Sequence, residues 1–191
     1  MASIITATTT SGLTQSADNS GVLQLASGTG NLVTVPSVTG TAMVSGNMPA
    51  FSAYNSASQT LSSLTLTKIQ FNTEEFDTAN CYNNSSTYRF TPNVAGYYQI
   101  TVCLGVATTG SSVANTQLSC VIYKNGSVAK FGAQTLLNNT YDMIAYVSAL
   151  IYLNGSTDYV EGYARQISGG SLGTNTDAPY CYFQGALVRA A

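Results

Sequence analysis

The strictest constraint on this chain is a period of two. Residues 64–71 read as a run of alternating apolar and polar side chains, and residues 98–104, 118–123, 144–152 and 159–164 do the same. Successive side chains of a strand point to opposite faces, so these runs predict half-buried antiparallel strands. Turn chemistry falls between them, at Ala95-Gly96, Asn125-Gly126, Asn138-Asn139, Asn154-Gly155 and Gly169-Gly170. Asn-Gly is the strongest of these signals, because both central residues of a type I′ hairpin need positive φ. No stretch carries the 3.6-residue period of a three-turn amphipathic helix. Some eight short strands over residues 48–191 predict an all-β protein, an antiparallel two-sheet sandwich of jelly-roll or related type.

The first 47 residues differ. Six glycines, from Gly12 to Gly46, interrupt short apolar runs such as Val22-Leu23-Gln24-Leu25 and Leu32-Val33-Thr34-Val35. The runs predict two short strands separated by turns. An arm this polar orders against another surface, by strand pairing or by docking its apolar side chains. Leu13, Val22, Leu23, Leu25, Leu32, Val33 and Val35 are the candidate attachment residues. The domain boundary is expected between residues 47 and 48. Ile122-Tyr123-Lys124-Asn125-Gly126-Ser127 nearly recurs at Ile151-Tyr152-Leu153-Asn154-Gly155-Ser156. With no third copy, this reads as two hairpin turns of one sandwich rather than a solenoid.

Charge narrows the function. Only 7% of the 191 residues are charged, and the six basic ones stand singly. That argues against nucleic acid, which needs several phosphates neutralised together, and against a polybasic membrane contact. No stretch is long and apolar enough for a spanning helix. The N-terminus lacks a basic region followed by an apolar core, so no secretory signal is expected. Asn-x-Ser/Thr triplets such as Asn125-Gly126-Ser127 then read as turns rather than glycan acceptors.

The chain has no histidine. This removes Ser-His-Asp and Cys-His nucleophilic systems and every imidazole metal site. Glu74, Glu75 and Asp77 form the only acidic cluster. It reads either as a calcium or sugar site in a loop after Phe71, since hard cations take several carboxylates, or as a solvated loop. Cys81, Cys103, Cys120 and Cys181 lack metal-site or redox spacing. Two readings stand for them: buried free thiols, or a disulfide between strands far apart in sequence. Tyr97-Tyr98 offers a saccharide platform, but adjacent strand residues face opposite sides and one of the two belongs to the core. Two polar segments, residues 77–87 and 167–179, are candidate binding loops.

Several stretches are similar in order and spacing to one known family. Pro49-Ala50-Phe51-Ser52-Ala53 is similar to the Ala-Phe-Ser-Ala first strand of C1q/TNF-like jelly rolls. Ile69-Gln70-Phe71-Asn72 followed by Glu75-Phe76-Asp77 resembles the next strand and loop. Residues 88–98, with Phe90, Pro92, Gly96 and Tyr98, resemble the family's most specific segment. Ile122-Tyr123-Lys124-Asn125-Gly126 resembles its Lys-Asn-Gly turn, residues 150–160 with Asp158 the strands after it, and Phe183-Gln184-Gly185-Ala186-Leu187 its terminal strand. The resemblance implies a homotrimer, with Phe51, Phe71, Phe90, Tyr97, Tyr98, Tyr123 and Phe183 as trimer-axis or core aromatics. It also makes calcium a possible ligand, with no full ligand set to map onto this chain. Residues 11–25, in turn, are similar to segments of tailed-bacteriophage fibre and head-associated proteins. Together the two resemblances imply a non-enzymatic virion structural protein. One reading is a trimeric fibre or receptor-binding protein, held by residues 1–47 to another virion protein and facing a host glycan or protein. The alternative is a capsid decoration protein whose arm binds the major capsid protein. A soluble C1q-like lectin is a third reading. A virion component made without a signal peptide is expected at the particle surface after assembly in the host cytoplasm.

Overall fold

A computed structural model of the chain describes residues 23–26, 32–35, 46, 48–107, 116–137 and 143–191. Its named elements are all strands. The chain divides into two units, Met1–Thr41 and Ala42–Ala191. In the first, β1 (Leu23–Ala26) and β2 (Leu32–Val35) form an antiparallel hairpin that pairs Leu23 with Val35 and Leu25 with Val33. These are the two strands expected in the arm; Leu13 and Val22 lie outside the described residues.

The second unit is two antiparallel sheets. One contains β3 (Ala50–Tyr54), β4 (Thr60–Leu61), β6 (Thr73–Asp77), β9 (Ala95–Ala107), β13 (Met143–Asn154), β15 (Leu172–Thr174) and β16 (Tyr182–Ala190). The other contains β5 (Thr67–Lys68), β7 (Tyr82–Asn83), β8 (Arg89–Phe90), β10 (Thr116–Lys124), β11 (Ser127–Phe131), β12 (Thr135–Leu137) and β14 (Val160–Ile167). In the first sheet β9 is central. It pairs with β13 along its whole length and with β16 on its other side. β16 in turn lies between β9 and β3, and β6 closes the edge. In the second sheet β10 and β14 are paired over eight residues, from Gln117↔Ile167 to Lys124↔Val160.

Period-two alternation fills the space between the sheets. Tyr98, Ile100, Val102 and Leu104 of β9 point inward and are fully buried. They meet Leu118, Cys120, Ile122, Val160 and Ala164 in one core. Phe51 is the hub of an aromatic cluster. Its ring stacks on Tyr82 at 4.9 Å and on Phe90 at 4.4 Å, and meets Phe183 edge-on at 4.8 Å. Such pairs add about 0.5–1.5 kcal/mol each beyond the area they bury. The buried Tyr82 phenol donates to the Phe71 carbonyl at 2.8 Å, and the Tyr98 phenol to that of Val94 at 2.7 Å.

Three expectations change on contact with the fold. Residues 64–71 are not one strand. Leu64 and Leu66 occupy even positions whereas Ile69 and Phe71 occupy odd ones, so the run changes phase. Leu64 takes a φ of 64°, its amide donating to Gln166 O, and only Thr67–Lys68 pair as a strand. Ala95-Gly96 is not a turn but the start of β9. Gly96 serves close packing there, since a Cβ would meet the Arg189 carbonyl oxygen at 2.4 Å. Residues 73–77 are not a loop but the strand β6. The Asn125-Gly126 hairpin forms as expected, with both residues at positive φ, 51° and 77°. Asn138-Asn139 lies outside the described residues.

Candidate functional site

The two outer faces of the sandwich differ in chemistry. Lys68, Arg89, Lys124, Lys130 and Arg165 all belong to strands of the β10–β14 sheet. There Lys68 pairs with the buried Glu161, Arg89 lies over the Tyr159 ring at 4.4 Å, and Tyr123 stacks on Tyr163 at 3.8 Å. Lys124 Nζ contacts Asp158 at 2.9 Å, and Asp158 also accepts from Asn125 Nδ2 at 2.7 Å. These contacts hold the Asp158 carboxyl below its usual range.

Away from the β6 edge, which carries Glu74, Glu75 and Asp77, the other sheet is nearly free of charge. β3, β9, β13 and β16 contain one charged residue between them, Arg189. The register sets Tyr152 opposite Tyr97, Leu150 opposite Gln99, Ser148 opposite Thr101 and Tyr146 opposite Cys103. Partners in an antiparallel pair share a face, so these side chains form one surface. Tyr146 is 67% exposed, Leu150 52% and Phe76, on the β6 edge, 51%. Tyr97 and Tyr152 contact each other at 5.5 Å, and Val188 is exposed where β16 bulges. Ser148 joins Gln99 and Thr101 in hydrogen bonds of 2.8 and 2.7 Å across the middle of the face. A shallow hollow lined by Ala50, Phe76, Gln99, Thr101, Gln184 and Ala186 lies toward its β6 side. Exposed apolar side chains grouped on one side of a sandwich, here around a polar centre, make that side a candidate interaction surface.

The expected aromatic set therefore splits. Phe51, Phe71, Phe90, Tyr98 and Phe183 are core; Tyr97 is on the neutral face; Tyr123 is on the charged one. Tyr97 and Tyr98 take opposite sides as the period requires. Sequence reading did not single out Tyr146, Leu150 or Phe76, although the alternation of residues 144–152 put Ile144, Tyr146, Leu150 and Tyr152 on one face.

Glu74, Glu75 and Asp77 are not brought together as a calcium site. Asp77 accepts from the amides of Ala79 and Tyr82, at 3.1 and 2.7 Å, and so shapes the following turn. Glu75 accepts from the Ser52 hydroxyl at 2.6 Å, at a bulge between β3 and β6. Among the described residues no group of three acids or cysteines is placed to hold a metal ion. The four cysteines are free thiols. Cys103, Cys120 and Cys181 are buried, and burial raises all three above their usual range, Cys181 to about 11.

The candidate loops resolve into two clefts. Asn80, Cys81, Tyr82, Asn83, Thr87, Arg89 and Thr91 line a polar one of about 470 Å³. Tyr54, Ser56, Thr176, Asp177, Ala178, Pro179 and Tyr180 line another of about 550 Å³, at the end of the sandwich where β3 finishes and β16 begins.

No protein-family profile matches the sequence, and no curated protein is significantly similar to it. Solved structures do match the fold. The globular domain of zebrafish complement 1qA is 14% identical, with a TM-score of 0.50, over 75% of this chain and 98% of that one. Murine APRIL is 6% identical with a TM-score of 0.55, over 74% of this chain and 99% of that one. The fold is a C1q/TNF-like jelly roll.

Proposed function

We propose that this chain is a non-enzymatic structural protein that self-assembles as a homotrimer through the neutral outer face of β13, β9, β16 and β3. One observation carries the reading. That face exposes Tyr146, Leu150, Tyr97 and Tyr152 with Arg189 as the only charge on its four strands, while the opposite sheet carries the other five basic residues. Tyrosine-rich, charge-depleted surfaces are what the cores of protein interfaces are made of. Three copies, rather than two, is the number that the C1q/TNF resemblance implies.

The setting we propose is a tailed-bacteriophage virion, on the resemblance of residues 11–25 to fibre and head-associated proteins. Residues 1–47 anchor the trimer to another virion protein and the jelly roll projects at the particle surface, toward the host. Attachment to the tail makes it a receptor-binding fibre; attachment to the major capsid protein makes it a decoration protein.

Light scattering on the full chain tests the assembly. The expected mass is three times that of the chain, and Leu150→Glu is expected to give a folded monomer. A wild-type monomer at micromolar concentration overturns the trimer. Deleting residues 1–47 is expected to leave the trimer intact and to abolish incorporation into particles. Cryo-electron microscopy of the particle then separates tail from capsid, and a protein found free of any particle sinks the virion setting.

A further inference from the structure

We infer that the cleft formed by Tyr54, Ser56, Thr176, Asp177 and Tyr180 binds a neutral saccharide. The inference gives the host-facing role proposed above a site and a ligand class, and it rests on that role only for its biological setting.

The lining has the chemistry of a sugar site. Tyr180 is 44% exposed and Tyr54 half-buried, so two aromatic side chains border an open cleft of about 550 Å³. A pyranose presents a face of C–H groups to such rings and a rim of hydroxyls to polar neighbours. The polar neighbours are available. Among the described residues, the Asp177 carboxylate, the Thr176 hydroxyl and the Tyr54 and Tyr180 phenols form no hydrogen bond or ion pair within the chain. Asp177 ties its own turn through its backbone instead, its carbonyl accepting from the amides of Tyr180 and Cys181 at 2.9 and 3.1 Å. The side chain is left to an external donor. A carboxylate takes sugar hydroxyls well, since hydrogen bonds to charged acceptors are about twice as strong as neutral ones.

The same lining excludes other ligands. No lysine or arginine lines the cleft, so phosphates, sialic acids and uronic acids find no counter-charge and meet Asp177 as a like charge. The cleft is open rather than enclosed, which disfavours the fully desolvated cage that quaternary ammonium groups require.

The walls are pre-organised, which lowers the entropy cost of binding. On one side the Asn55 amide donates to Cys181 O at 3.2 Å and the Ser56 amide to Asn72 Oδ1 at 2.9 Å. On the other, the Asn175 amide donates to Gly105 O at 2.9 Å. Between the two lining residues Tyr54 and Ser56, Asn55 is buried and its Nδ2 has no hydrogen-bond partner among the described residues. Of the two other tyrosine pairs, Tyr123 and Tyr163 stack face to face, so each ring covers the other, and Tyr97 and Tyr152 lie on the face assigned to assembly.

The test is saturation-transfer NMR on the full chain with three neutral probes, methyl β-galactoside, methyl α-mannoside and N-acetylglucosamine, at millimolar concentration. Glucose 6-phosphate and tetramethylammonium serve as charged comparisons. Transfer to the ring protons of at least one neutral sugar is expected, with none to the phosphate. Tyr180→Ala and Asp177→Asn are each expected to weaken that binding about tenfold or more, with circular dichroism unchanged. No transfer to any of the three sugars, equal transfer in both variants, or stronger binding of tetramethylammonium overturns the inference. Light scattering on the same samples keeps the two ideas apart. An intact trimer that binds no sugar removes the cleft and leaves the assembly. A sugar-binding monomer removes the assembly and leaves the cleft.

Discussion

Gly155 and Gly169 allow a steric cost to be separated from a conformational one. Both hold positive φ, 71° and 80°. Replacing either with alanine forces a side chain into the left-handed region at about 1–2 kcal/mol, and stiffens the unfolded chain equally. Their surroundings differ. A Cβ on Gly169 meets nothing within 4 Å, whereas one on Gly155 falls 2.2 Å from Ala95 N and 2.5 Å from Val94 C. Backbone cannot swing aside as a side-chain tip can, so the turn itself must move. That turn is held by Asn154 Oδ1, which accepts from the amides of Ser156, Thr157 and Asp158 at 3.0, 2.9 and 2.9 Å. Weakening two of these bonds at about 0.5–1.5 kcal/mol each gives an extra cost of about 1–3 kcal/mol. Gly155→Ala should therefore be less stable than Gly169→Ala by that margin, because the conformational part cancels in the comparison. Urea unfolding at equal protein concentration measures it, since assembly makes stability concentration-dependent. With an m-value of about 2 kcal/mol/M, the two midpoints should separate by roughly 0.5–1.5 M. Coincident midpoints with unchanged m-values would refute the steric argument.

Further expectations follow from the same contacts. Phe183→Ala removes a ring at the centre of the aromatic cluster and is expected to cost about 3–5 kcal/mol by denaturant titration, against under 1 kcal/mol for an exposed change such as Ser171→Ala. The Asp158 carboxyl titrates below its unfolded value, so its contribution to stability is present above that value and lost as pH falls through the folded one. Asp158→Asn should flatten the acid limb of the thermal midpoint against pH. Burial raises the Tyr82 and Tyr98 phenols, so their contribution is complete below the unfolded tyrosine value near pH 10 and declines as pH rises toward their folded values. Alkaline unfolding followed by tyrosinate absorbance should begin above about pH 10, with two phenols ionising only on unfolding. Cys81, the half-buried thiol, should react with a thiol reagent in the native protein, while Cys103, Cys120 and Cys181 react only after denaturation.

What the sequence made legible was what is local and periodic. The opposite placement of Tyr97 and Tyr98 and the Asn125-Gly126 hairpin follow from period two and from positive φ, and both appear. Other features needed the partner strand. Gly96 looks like a turn residue, and only the Arg189 carbonyl beside it shows that its missing side chain serves close packing. Residues 64–71 carry their own break, a shift of the apolar positions from even to odd, but only the Leu64 amide held by Gln166 O shows how the chain leaves the strand there. Glu74 and Glu75 look like a ligand cluster, yet a strand and its bulge set their directions. The saccharide cleft joins residues 54–56 to residues 176–180, a distance along the chain that no spacing rule reaches.

The position of β16 has a kinetic consequence. It comes last in chain order among the described strands, yet it is inserted between β3 and the central β9. Until it joins, β3 and β6 have no partner linking them to β9, and Phe51 lacks the Phe183 edge that closes its cluster. The sheet cannot complete before β16 joins it, and loop-closure entropy between β3 and β16 must be met over more than a hundred residues in that step. Closure of this sheet thus waits for β16. A chain that stops short of Tyr182 leaves two exposed strand edges where β16 belongs, a surface prone to aggregate and easily recognised by chaperones and proteases.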